Sequence, residues 1–394
     1  MFQIDFKSRR SVRDQIVDNF KHLINTGLLQ PMEEVPNIEE ISIGLVINPN
    51  TCQKAYTELE NQGYFYSHKD ASWMVADRST GNPPNLAAKK KNKQPRNHEY
   101  FVIIEDLTKH LGDNLVLNDL KMDIKRGSIY GLMGVNGSGK TTLIKHLAKI
   151  YQSDFGEIII DEVPIKQVSQ LSIGYLPDET AFLPHYTMRK MSSFFENKHK
   201  RNWDFERYQD LLQKFDLDEE QKLDTFSSGM KKQAALVFAL SAMPDLLLLD
   251  ETLDGLDPFV RHYVAREIIK DVAERQMTVF VTSHNINELD GICDTVGIID
   301  KGQVTIERDI DDLRSNIHKI NVAFAPGSVS GNPFKGLNVL YREDLGGTDL
   351  VVIHGLEAKI AASIGRFNPI LYHHMPMTLE EIFVYEKSEE KPEE

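Results

Sequence analysis

Cysteine is nearly absent from this sequence. Its 394 residues hold two, Cys52 and Cys293, too few for a disulfide framework and suited to a reducing interior. Long hydrophobic runs are missing as well. No window approaches the roughly 18–20 apolar residues of a membrane-crossing helix, and the densest run, Leu246–Leu249, stops at Asp250. The first residues lack the charged-then-apolar order of an export signal. Positive charge is also scarce. The formal net charge is −14, which makes the body a poor general binder of polyanions. Only residues 78–98 are basic, at +6, against −4 for residues 1–77 and −16 for residues 99–394. What is present is a 41% hydrophobic content, enough for sizeable cores and incompatible with global disorder. At about 150 residues per domain the length predicts two or three domains. Together these features predict a soluble, cytoplasmic protein.

The stretch 78–98 has no hydrophobic period and combines Pro83-Pro84 with a lysine run, so it reads as an exposed linker between domains. Before it, Val12, Ile16, Phe20, Leu23 and Ile24 recur at helical spacing, with Gly27 as a stop. A second short helical pattern covers 37–46. A third follows, capped by Asn48 or Asn50, with Cys52, Ala55, Tyr56 and Leu59 on one face and Gly63 at its end. Short β-type runs at 64–67 and 72–76 complete the outline of a winged helix-turn-helix. Helical periodicity alone would equally suit a small interaction module. The local residues are more specific: Ile47–Gly63, with its Asn-Pro-Asn-Thr start and Lys54-Ala55-Tyr56, resembles the recognition-helix region of GntR-family regulators. The resemblance covers about residues 8–77. It implies DNA-facing roles for Asn50, Thr51, Gln53 and Lys54, because Asn and Gln can read adenine edges. Two positions depart from the family pattern: Glu39 stands where a DNA-contacting Arg is usual, and Asp70-Ala71 replaces a glycine-rich wing tip. Any DNA binding is therefore expected to be weak and salt-dependent, with the basic linker contributing as much as the helix.

Beyond the linker, β-type runs at Phe101–Leu107 and Ile129–Met133 precede Gly134, Val135, Asn136, Gly137, Ser138, Gly139, Lys140, Thr141 and Thr142, and a helical period spans Leu143–Tyr151. A strand, a loop of this glycine and lysine spacing and a helix form a phosphate-binding loop. Glycines let successive N–H groups curl round a β-phosphate, and the helix N-terminus adds partial positive charge. Lys140 would span the β- and γ-phosphates, and Thr141 would offer its hydroxyl to Mg²⁺. Leu246–Leu249 reads as a buried strand ending in Asp250 and Glu251. By itself that is compatible with a core strand carrying two solvated acids. Behind a phosphate loop, Asp250 is placed to hold Mg²⁺ through water and Glu251 to orient or deprotonate the attacking water. Phe226-Ser227-Ser228-Gly229-Met230 opens a helical stretch to about Met243, where Ser227 could equally be a plain N-cap.

With Gly255-Leu256-Asp257-Pro258 and Thr282-Ser283-His284 completing the order, residues 100–310 resemble the nucleotide-binding domain of ABC (ATP-binding cassette) ATPases. The resemblance implies ATP as ligand, Phe226–Met230 as the signature segment, Glu251 as the catalytic carboxylate and His284 as the γ-phosphate contact. It also implies Asp178, at the place of the usual Q-loop glutamine, as a Mg²⁺ ligand beside Thr141 and Asp250. Leu111 stands where an aromatic usually stacks on adenine, Ser228 and Met230 replace Gly and Gln in the signature, and Thr252 replaces a common Pro. No catalytic group is lost, so Mg²⁺-dependent ATP hydrolysis is expected. In this family Ser227, Ser228 and Gly229 of one subunit close over the phosphates bound by another. A single cassette therefore implies a head-to-tail homodimer.

Residues 309–394 show alternating runs at 320–324, 338–342, 350–354 and 370–374, a helical stretch at 357–365 and an acidic tail. The expected organisation is a winged helix-turn-helix at 1–77, a linker at 78–98, an α/β P-loop cassette at 99–308 and a small α+β appendage at 309–394. Three function classes compete: the ATPase subunit of a bacterial-type ABC transporter docked on a separate multi-span permease, an ATP-responsive GntR-family regulator, and a repair or translation ABC protein. The last normally needs a coiled coil or two cassettes in one chain, and neither is present. The transporter ATPase, peripheral on the inner face of the membrane, is preferred because its chemistry is intact while the DNA-reading positions are altered. The stretch 178–226, including Thr187–Phe195, would carry its docking surface.

Overall fold

The continuous apolar runs become strands buried on both faces, as parallel sheets require. All five side chains of Leu246–Asp250 and all six of Thr278–Ser283 are buried. They lie in a six-stranded sheet ordered Gln303–Asp309, Thr295–Asp300, Ile129–Met133, Thr278–Ser283, Leu246–Asp250, Ile173–Leu176. The four junctions between Thr295–Asp300 and Ile173–Leu176 are parallel. A second, antiparallel sheet joins Asn114–Lys125, Tyr100–Leu111, Phe155–Ile160 and Val163–Pro164. Between them a core of Ile104, Leu117, Leu132, Leu143, Leu147, Leu248 and Phe280 excludes water. Crossovers in a parallel sheet bring strand C-termini to one edge, where ligands of such folds bind. Met133, Leu176, Asp250 and Ser283 all end strands there. Helices Met188–Lys198, Phe205–Lys214 and Ser228–Ser241 form a separate layer of the cassette around stacked Phe195, Trp203, Tyr208 and Phe238.

This computed structural model describes residues 2–6, 8, 10–67, 72–77, 99–200, 202–253, 256–285, 289, 291–325, 327–328 and 331–389. The expected linker 78–98, Asp70-Ala71, Gly255 and the last five residues lie outside them.

In the N-terminal region the three expected helices are Val12–Asn25, Ile38–Leu45 and Pro49–Asn61. Each start has a local cause. The Asp14 N–H donates to the Ser11 hydroxyl, Asn37 and Glu40 form a reciprocal capping box, and the Asn50 N–H donates to Asn48 Oδ1. Cys52, Ala55, Tyr56 and Leu59 are fully buried, and Phe20, Tyr56, Phe65 and Trp73 meet edge to face or tilted. Strands Phe65–Ser67 and Trp73–Val75 pair antiparallel as expected. Glu34–Val35 adds a third strand, too short to be visible as a pattern in the sequence.

C-terminally, Ile317–Ala323, Asn338–Asp344, Asp349–His354 and Leu371–Met375 form an antiparallel sheet over Ile360 and Ile364 of helix Glu357–Gly365. Helix Leu379–Glu389 follows.

The compact units do not follow the expected boundaries. One contains the described residues of Met1–Val35, Thr51–Pro84 and Arg308–Glu394, the other those of Pro36–Asn50 and Asn85–Glu307. The reason is side-chain commitment. In the second unit helix Ile38–Leu45 packs on helix Pro258–Arg275, and Asn48 donates to Asp294 and to the Ile292 carbonyl. In the first, helix Pro49–Asn61 from Thr51 onward is tied to Asp309 and Asp311. The segment 1–77 is thus divided between the two.

Candidate functional site

The phosphate loop leaves the strand Ile129–Met133 and runs into helix Lys140–Leu147. This helix begins three and ends four residues before the expected Leu143–Tyr151 because Gly139, at φ 113°, provides the N-cap directly. A Cβ on Gly134 would lie 2.5 Å from Ser138 Oγ and 2.6 Å from the Ile299 carbonyl, so only glycine fits that turn. The enclosed Ser138 hydroxyl has no hydrogen-bond partner. Lys140, 5% exposed, donates to the Gly134 carbonyl at 2.7 Å and pairs with Glu251 Oε1 at 3.2 Å. A buried ammonium held by the Gly134 carbonyl, at longer range by that of Val135 at 3.4 Å, and by one carboxylate is a ready partner for phosphate oxygens. Val135 and Gly137 line the loop exposed, and Thr142 is buried on the helix.

Asp250 is 2% exposed and accepts from Thr282 Oγ1 at 2.7 Å and Thr141 Oγ1 at 3.4 Å. Burial pushes its carboxyl pKa up, against the pull of those two hydroxyls, and the neighbouring Glu251 and Asp178 charges push the same way. A buried carboxylate with hydroxyl neighbours and too little positive charge fits a hard divalent cation. Glu251 adopts φ 48°, unusual for a non-glycine residue. Its N–H donates to Thr282, and its carboxylate lies between Lys140 and His284, the latter at 3.3 Å. The structure therefore brings Lys140, Thr141, Asp250, Glu251 and His284 to one strand edge. Thr252 is fully buried and donates to the carbonyls of Leu176 and Asp250, tying the strand ends together.

Asp178 sits apart from Thr141 and Asp250 in its bonding. Its side chain is 56% exposed and pairs with Lys232 at 3.3 Å. Ser227 is the N-cap of helix Ser228–Ser241, its hydroxyl accepting from the Met230 N–H. Ser227 and Ser228 are exposed, and among the described residues no hydrogen bond or ion pair joins Ser227, Ser228 or Gly229 to the phosphate loop of the same chain. Leu111 is 40% exposed at the end of its strand.

The residues expected to face DNA are mostly turned inward. Thr51 is buried and donates to Asp311 at 2.9 Å, and Lys54 pairs with Asp309 at 2.5 Å and Asp311 at 3.4 Å. Asn50 donates to the Gly127 carbonyl at 3.1 Å. Gln53 is the exposed member, bonded to Thr57. Sequence reasoning missed Thr282 and Lys232. A hydroxyl in register with Asp250 on the next strand could have flagged Thr282, whereas nothing local marks Lys232.

Known proteins share this architecture. Residues 117–254 match the family model described as ABC transporter. The ABC transporter ATP-binding protein YtrB of Bacillus subtilis (strain 168) is 30% identical over 286 residues, 72% of this chain and 97% of that protein. The bacitracin transport ATP-binding protein BcrA of Bacillus licheniformis is 33% identical over 54% of this chain and 71% of its own length. Among solved structures, an ATP-binding subunit of an ABC transporter aligns with TM-score 0.50 at 24% identity, over 54% of this chain and 92% of that one. This last likeness is one of fold.

Proposed function

Because the chain belongs to the ATP-binding proteins of ABC transporters and hydrolyses ATP, we propose that it is the energising subunit of a transporter and docks on a separate multi-span membrane permease. The observation that carries this reading is the convergence of Lys140, Thr141, Asp250, Glu251 and His284 on one strand edge. Lys140 binds phosphate oxygens, and Thr141 and Asp250 would hold Mg²⁺, which would supply neutralisation of phosphate charge and polarisation of the phosphoryl group. Glu251 orients or deprotonates the attacking water, and His284, beside it, contacts the γ-phosphate. Ser227, Ser228 and Gly229, unconnected to their own phosphate loop, serve the loop of a second copy in a head-to-tail homodimer. No helix among the described residues is long and apolar enough to cross a membrane. The stretch from Asp178 to Phe226, with Leu183 and Phe194 exposed, supplies the docking face. Copurification from gently solubilised membranes is the test: a multi-span protein should accompany the chain, and its absence from ATP-competent preparations would count against docking.

The second reading, an ATP-responsive regulator of the GntR type, finds support in the helix and ribbon content of residues 12–75. It ranks lower because Thr51 and Lys54 satisfy their polar groups on Asp309 and Asp311. A mobility-shift titration against the chain's own promoter at two salt concentrations decides between them. Weak, steeply salt-dependent binding fits the transporter subunit, and nanomolar sequence-selective binding at physiological salt would reverse the ranking.

A further inference from the structure

Lys232 lies just past the first turn of helix Ser228–Ser241, on the end whose dipole disfavours cations, and that turn carries no acid to offset it. Its side chain is nonetheless only 12% exposed. An ammonium so placed must be paired. Its Nζ reaches Asp178 Oδ1 at 3.3 Å and the backbone carbonyl of Glu251 at 3.2 Å. One cation thus joins Asp178, two residues past strand Ile173–Leu176, to the backbone of the carboxylate after Leu246–Asp250, the residue at φ 48°. The charge pattern explains why this matters. Three carboxylates, Asp178, Asp250 and Glu251, lie near the place where a triphosphate arrives, and Lys140 is already engaged with Glu251. An unpaired Asp178 would repel the incoming γ-phosphate.

We propose that Lys232 is a positioning residue of the nucleotide site, holding Asp178 as a neutral ion pair and fixing the backbone of Glu251. This rests on the assignment of Gly134–Thr141 as the phosphate loop. The pair lets a carboxylate stand beside the phosphates, and it makes each partner's replacement depend on the other.

The test is a double-mutant cycle on the full chain with Lys232→Gln, which keeps a donor for the Glu251 carbonyl but removes the charge, and Asp178→Asn. The main readout is equilibrium binding of a fluorescent ATP analogue, in EDTA and in Mg²⁺, with kcat and KM alongside. Lys232→Gln alone should weaken binding in EDTA on the order of tenfold, as expected for directly contacting charges. The same change in the Asp178→Asn background should cost little, and Lys232→Arg should stay near wild type. Equal losses from Lys232→Gln in both backgrounds would overturn the proposal. So would an effect of Asp178→Asn confined to Mg²⁺ and independent of residue 232, which would make Asp178 a plain metal ligand. Lys140→Ala separates the two levels: if it binds nucleotide like wild type, the phosphate-loop assignment fails rather than the pair. Should Lys232→Gln not fold, Lys232→Arg with and without Asp178→Asn carries the test. Lys232→Arg should then leave binding in EDTA near wild type in both backgrounds, and a loss of about tenfold from it would overturn the pair.

Discussion

Glu251 is held by four contacts of different kinds: its N–H on Thr282, its carbonyl on Lys232, its carboxylate on Lys140, and His284 beside it. Replacing it with Gln keeps size and backbone but removes the proposed base. Glu251→Gln should therefore retain ATP binding while turnover falls about 10²–10⁴-fold, measured as phosphate release; release at the wild-type rate would remove Glu251 from its assigned role. Asp250 makes a prediction of opposite sign for stability. Its folded-state pKa is raised by burial, so the folded protein prefers the protonated acid. The resulting destabilisation is full above the raised pKa and disappears as pH falls below the ordinary value. Asp250→Asn should thus raise the melting temperature of the nucleotide-free protein near neutral pH, and this gain should shrink on acidification. Hydrolysis should be lost in the same variant. A melting temperature unchanged or lower at neutral pH in EDTA would show that the buried charge is already compensated.

At the scale of elements, helix Pro49–Asn61 is the informative case. Its apolar face of Cys52, Ala55, Tyr56 and Leu59 packs as the periodicity predicts. Its polar face is set by what lies opposite, the start of helix Ile310–Asn316, where Asp309 caps the helix and Asp311 is buried. Burial raises the Asp311 pKa while Lys54 and Thr51 pull it down. Removing Lys54 leaves that carboxylate without its directly paired cation, with only the weaker pull of the Arg13 charge. Lys54→Met should destabilise the chain by about 1–3 kcal/mol in a denaturant melt, and adding Asp311→Asn should recover much of the loss. Additive losses in the double variant would mean that the two side chains do not depend on each other. The helix Ser228–Ser241 makes the converse point. Ser227 caps it, as many serines do, and the same residue is proposed to face a second copy's nucleotide. A cap can have both uses because its hydroxyl accepts one N–H and keeps a further lone pair and its own proton.

For the whole molecule, the prediction concerns closure. If Ser227, Ser228 and Gly229 complete a partner's site, ATP is shared by two chains, and the variant that cannot hydrolyse it should keep them together. Sedimentation of Glu251→Gln with Mg-ATP should show a dimer that the nucleotide-free protein lacks at the same micromolar concentration. A monomer under both conditions would point to a different cassette as partner. The division of residues 1–77 between two compact units adds a second expectation. Excision of residues 1–77 should not leave an intact remainder, because Asn48 and helix Ile38–Leu45 would be withdrawn from Asp294 and helix Pro258–Arg275. Loss of cooperative unfolding in such a truncation, followed by circular dichroism, is the expected outcome.

The phosphate loop, the strand ending in Asp250 and Glu251, and the alternating runs after residue 316 were legible in the sequence because each is a short contiguous pattern. A glycine turn, an apolar run or a two-residue alternation acts on its immediate neighbours and needs no distant partner to be visible. By itself the sequence determined in this way the phosphate loop, the buried acid-ended strand and their order along the chain. Only the tertiary structure decided which polar groups meet. Lys54 and Asp309 are 255 residues apart, Thr282 and Asp250 32, and Lys232 and Asp178 54. No local pattern marks either member of such a pair, because what selects it is burial. A charge or hydroxyl taken out of water must find a partner wherever the packed backbone presents one, and that place is set by the fold of the whole chain.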